Sequence, residues 1–184
     1  TQVPASDMRD LAIRLRPDVD AVPLVVNSTP PDYTVSDRIS FWVLNVSTQE
    51  TRQITAELIH KTAVAYAWVE VGPAYNRDLI IAAVEQFSSQ SYPATVAFFG
   101  HEWNPGVDND PRLHILHTTG IGAASGYFGS ADEYSRLVNP YSNQKEMFYV
   151  SLEAAGDGDL LAHEFQHMIH WYQDANEATW VDEG

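Results

Sequence analysis

The 184-residue sequence has no cysteine, which excludes disulfides, thiolate-bound zinc and a cysteine nucleophile. Any metal must sit on histidine, aspartate or glutamate. Basic residues are scarce: 10 Lys and Arg stand against 25 Asp and Glu, a formal net charge of -15. That charge opposes phosphate backbones and anionic lipid surfaces, so nucleic acid is not an expected partner. No apolar run approaches the ~18 residues that a bilayer crossing needs, and no membrane insertion is expected. The opening TQVPASDMRD lacks the basic and apolar stretches of a signal peptide. Hydrophobic residues are plentiful, at 45% with 11% aromatic, which suits a globular chain with a core.

Leu11, Ile13 and Leu15 alternate with Ala12, Arg14 and Arg16, the two-residue period of a half-buried strand that stops at Pro17. A connection through Pro23, Pro30 and Pro31 follows. RISFWVLNV and ITAELIHKTAVAYAWVEV are rich in β-branched and aromatic residues and are separated by the polar STQETRQ. Residues 1–72 are therefore expected to form a β-rich N-terminal region. NRDLIIAAVEQF sets Leu79, Ile80, Ala83, Val84 and Phe87 on one helical face, with Asn76 as N-cap. ATVAFFG fits a strand or more loop, HEWNPGVDNDP a turn-rich loop, and LHILHT a short strand. Residues 119–146 carry many Gly, Ser, Asn and Tyr with no sustained period and read as a long surface loop. EMFYVSL reads as a strand, GDGD as a turn with an acidic cap, and LLAHEFQHMIHWYQ as a helix. The fold class expected from this order is α+β.

The last of these segments contains HExxH, formed by His163, Glu164 and His167. On a helix, positions i and i+4 share a face one turn apart, so both imidazoles can reach one ion at ~2.0–2.1 Å. Glu164 lies one step round the helix, placed to touch a water on that ion. Leu161, Phe165, Met168 and Tyr172 form an apolar stripe roughly opposite the histidines. A hydrolytic zinc usually has three protein ligands. His170 is a poor third, because positions 163 to 170 of a straight helix span about 10 Å; it is expected at the surface or behind the ligands. Glu183 is the better candidate, since it follows a polar linker, QDANEA, able to turn the chain back.

HExxH followed by W-x-x-E-G, here Trp180 to Gly184, resembles the Glu-type zincins, in which the Glu before the Gly is the third zinc ligand on a second helix. HEFQHMIHW together with FFGHEWNPGVDNDPRLHIL, GYF and SNQKEMFYVSL is similar to the hyicolysin-like and immune-inhibitor-A-like secreted bacterial peptidases, over about the second half of the chain. The resemblance implies a zincin-like mixed sheet with an active-site helix over residues 73–184, and a substrate cleft between sheet edge and helix. It implies zinc on His163, His167 and Glu183, Glu164 as general base, and a peptide or protein substrate outside a bacterial cell. The oxyanion donor of similar enzymes follows the third ligand, so the catalytic region is expected to be incomplete at its C-terminus. For the sheet edge that would receive an extended peptide, LHILHT is the candidate.

Asp108 and Asp110, with Asn109 between them, could bind Ca2+ on a turn, although the EF-hand pattern is missing and an Asx turn fits these residues better. His101, Glu102, His114 and His117 are read as structural rather than as a second metal cluster. The alternative to a zinc peptidase is a noncatalytic protein-binding or adhesion module with a structural metal site. An intact Glu164 favours the enzyme, because a structural site needs no base.

Overall fold

The β-branched and aromatic runs of the first half become an antiparallel meander: β1 (Arg38–Leu44), β2 (Thr51–Lys61) and β3 (Ala65–Glu70). The computed structural model describes residues 8–173. After β3 the chain crosses over through α2 (Arg77–Gln86), a π turn at Phe87–Ser91 and α3 (Tyr92–Phe99). It returns as β4 (Leu113–Thr118), parallel to β3. A second crossover carries the short β5 (Gly126–Phe128) and a 3-10 turn at Ser130–Glu133 before β6 (Met147–Ser151) pairs parallel with β4. β5 pairs antiparallel with β6, and the sheet order is β1-β2-β3-β4-β6-β5. The last described element is α4 (Gly158–Gln173). This is an α+β fold on a mixed six-stranded sheet.

Alternation along the central strands explains why the sheet is covered on both faces. Ala65, Ala67 and Val69 of β3 share one core with Ile115, Phe148, Val150 and the helical residues Ile80, Val84, Leu161 and Phe165. Tyr66 and Trp68, one step out of phase, join Phe41, Leu58, Leu116 and Tyr149 on the other face. β3 and β4 are buried along their whole length on both faces, as central strands of a covered sheet are, and the polar residues they carry, Glu70, His114, His117 and Thr118, are buried with them. The position 72/73 falls in the connection between β3 and α2, and strands from both sides of it belong to one sheet.

Four expectations change. Residues 8–15 form a helix, α1 (Met8–Leu15), not a strand. Met8, Leu11, Ala12 and Leu15 also satisfy the i, i+3, i+4, i+7 spacing, and Ala12 points inward. ATVAFFG is the body of α3, reached without a break from α2 through the π turn. Residues 119–146 are not a surface loop: they contain β5 and bury Asp132, Glu133, Ser142, Asn143 and Glu146. LHILHT lies inside the sheet between β3 and β6, so it is no edge. The Asn76 cap stands as expected, its side-chain oxygen accepting from the N–H groups of Asp78 and Leu79.

Candidate metal centre

Helix α4 starts where Asp157 accepts from the N–H groups of Asp159 and Leu160, at 3.0 and 3.2 Å, so the acidic turn does serve as the cap. Leu161, Phe165, Met168 and Ile169 are fully buried against the sheet. Tyr172, expected in that stripe, is half exposed, and Ile169 takes the inward position instead. With the apolar face anchored, the opposite face of the helix is turned to a cavity.

His163 and His167 stand on that face with their Nε2 atoms 3.0 Å apart. Two Zn–N bonds of ~2.0–2.1 Å at a tetrahedral angle would separate two nitrogens by roughly 3.3 Å. The pair is thus spaced for one small ion. Glu164 is buried beside them, and all three residues line a cavity of about 500 Å³ whose other wall includes Gly126 and Phe128, with Trp171 of α4 also lining it. Among the described residues no third His, Asp or Glu closes a three-ligand cage. Glu183 lies outside the described residues. His170 packs edge-on against Phe99, with ring centroids 5.2 Å apart.

The strand facing the helix is β5, and no described strand pairs with its outer edge. It lies against α4 because Gly126 has no side chain: a Cβ there would stand 2.9 Å from Glu164 Oε1 and 2.9 Å from the Tyr149 carbonyl oxygen. Neither Gly126 nor the edge role of β5 was apparent from residue patterns, since a three-residue strand has no period. Tyr127 projects to the other sheet face, where its hydroxyl accepts from the Leu44 N–H at 3.2 Å and its ring stacks on Tyr149. It is therefore not placed as an oxyanion donor.

The remaining candidates have structural partners. Trp68 Nε1–H donates to His114 Nδ1 at 3.0 Å, which leaves the proton of neutral His114 on Nε2, 3.4 Å from Asp108 Oδ2. Burial lowers both His114 and His117 to about 4, so both are neutral at pH 7. Asp110 Oδ2 accepts from the Tyr66 hydroxyl and Oδ1 from the Arg112 N–H, while the Asp110 N–H donates to Asp108 Oδ1. The last two are Asx-turn bonds, and together with the Tyr66 hydroxyl they leave neither Asp110 oxygen free. His101 is exposed, whereas Glu102 is buried.

Among the described residues, no helix is long and apolar enough to cross a membrane. Comparison of the chain with protein-family models and with curated proteins gives no match.

Proposed function

We propose that this chain carries the catalytic region of a secreted bacterial zinc metalloendopeptidase with a zincin-like fold. His163, His167 and Glu183 are the metal ligands in this reading, and Glu164 is the general base. The observation that carries it is the convergence of the two Nε2 atoms, 3.0 Å apart, beside a buried Glu164 in a cavity bounded by β5. Bound zinc would supply a Lewis acid for the scissile carbonyl and lower the pKa of its water to about 7. Glu164 accepts the proton of the attacking water and delivers it to the leaving amine as the C–N bond breaks, which balances the hydrolysis. The outer edge of β5 offers main-chain groups to an extended peptide, which would run antiparallel or parallel to Gly126–Phe128 and past the histidines.

Glu164→Gln tests this directly. Zinc content, measured by metal analysis, should stay unchanged while peptide hydrolysis falls by at least ~100-fold, the scale of a lost general base. Wild-type turnover in the variant sinks the reading. A zinc-saturated wild type without any Glu164-dependent cleavage would instead indicate a binding module with a structural metal.

A further inference from the structure

We propose that Glu102, Glu133 and Glu146, with Asp108 beside them, form a buried site for a divalent cation of the calcium type that ties residues 101–110 to residues 130–146. All four carboxylates are buried, and Glu133 is completely so. Glu133 Oε1 and Oε2, Glu146 Oε2 and Glu102 Oε2 have no hydrogen-bond partner among the described residues. Their other contacts show how they are aimed. Glu102 Oε1 accepts from the Tyr92 hydroxyl at 2.8 Å, and Glu146 Oε1 from the Val107 N–H at 3.3 Å. Gly106, at φ 77°, permits that approach, because a Cβ there would lie 2.2 Å from Glu146 Cγ.

The charge around these groups is unbalanced. Arg9 acts on Glu133, and Lys145 lies 3.7 Å from Asp108 Oδ2 while donating to the Tyr33 hydroxyl at 2.9 Å. Two cations thus face these four carboxylates, and buried Asp132 adds a fifth acidic neighbour beside Glu133. Burial, with the neighbouring carboxylates adding to it, pushes Glu146 up to about 8 and Glu133 well above the usual range. A proton shared between Glu133 and Glu146 would satisfy two oxygens and leave two orphaned, which is costly in a buried setting. A single hard cation could take them all.

Calcium is the class that fits, because the donors are all carboxylate oxygens and calcium accepts 6–8 of them in loose geometry. Among the described residues no three of these side chains are already arranged to hold an ion. Closing it requires rotation of side chains whose outer oxygens nothing holds. The site shares Asp108 with the Asp108 to Asp110 turn but does not include Asp110, whose two oxygens are both bonded elsewhere. It is also linked to the histidine cavity: Ser130 lines that cavity, and Glu133 ends the same 3-10 turn.

The test is calorimetric titration and thermal melting of the chelator-treated full chain with calcium chloride. We expect one calcium per chain and a Tm rise of about 5 °C or more at a hundredfold excess over Kd. Glu146→Gln should weaken binding by at least tenfold, and a His163→Ala/His167→Ala variant should keep it, which separates this site from zinc. Absence of both heat and Tm shift in the wild type overturns the proposal. So does a Glu146→Gln variant that binds calcium as tightly as the wild type. Should that variant fail to fold, Glu102→Gln, carrying the same expectation, decides.

Discussion

At the scale of single residues, the site depends on a side chain that is missing. Gly126 lets Glu164 sit against β5, and its replacement by alanine would bring a Cβ to 2.9 Å from both Glu164 Oε1 and the Tyr149 carbonyl. Glu164 can rotate aside, but the carbonyl belongs to the strand next door, so β5 has to shift as well. Overpacking of this kind costs about 1–3 kcal/mol. Gly126→Ala is therefore expected to lower Tm by a few degrees and kcat/KM of an active protein by at least tenfold, with zinc content unchanged. An alanine variant with wild-type kcat/KM would show that the contact between Glu164 and β5 has no part in the chemistry. The HExxH pattern is visible in residue identity alone, and the structure brings its three side chains to one cavity. Gly126 had no such mark: its role arises only once two distant segments meet.

Elements were legible where their order is local. Helix α4 announces itself by an acidic cap and an apolar stripe, and β1 to β3 by β-branched and aromatic runs. β4 was recognised as a strand but misplaced at an edge. His114 and His117 make LHILHT look half polar, yet both are buried and bonded to Trp68. Residues 119–146 were opaque for a different reason. Their order comes from long-range polar contacts: Asp132 accepts from the Asn143 N–H and the Tyr149 hydroxyl, both at 2.6 Å, and the Asn143 amide exchanges hydrogen bonds with the Trp42 backbone. No periodicity encodes such pairs. A polar clamp of the same type joins the strand ends. Burial pushes Glu70 up, but Arg52, the hydroxyls of Thr118 and Thr119 and the Thr119 N–H more than offset it and bring the carboxyl down to about 2. The folded value lies below the unfolded one of about 4.3, so the clamp stabilises fully above that pH and fades as pH falls towards 2. Urea melts should show Glu70→Gln less stable than wild type at pH 7, with the gap shrinking between about pH 5 and pH 2. A gap independent of pH would mean that the ionised carboxylate is not what holds β2, β3 and β4 together here.

For the molecule as a whole, the question is whether residues 73–184 stand alone as a catalytic unit. The sheet argues that they do not. β3 and β4 pair in parallel along five positions, Ala65 with Leu113 through Val69 with His117. Removing residues 1–72 would expose that edge of β4 and strip Ile59, Ala65, Ala67 and Val69 from the core under α2 and α4. The second core would lose Phe41, Leu58, Tyr66 and Trp68, leaving Leu116, Met147 and Tyr149 facing water. Truncating one large buried aromatic costs about 3–5 kcal/mol, and a domain has only about 5–15 kcal/mol in total. Loss of a whole sheet half exceeds that margin several times over. Residues 73–184 produced alone are therefore expected to show no cooperative thermal transition, to be digested rapidly under limited proteolysis and to bind zinc no better than an unfolded chain with the same histidines. A sharp melting transition for this fragment, with zinc affinity equal to that of the full chain, would establish an independent unit and reduce the first 72 residues to an appendage.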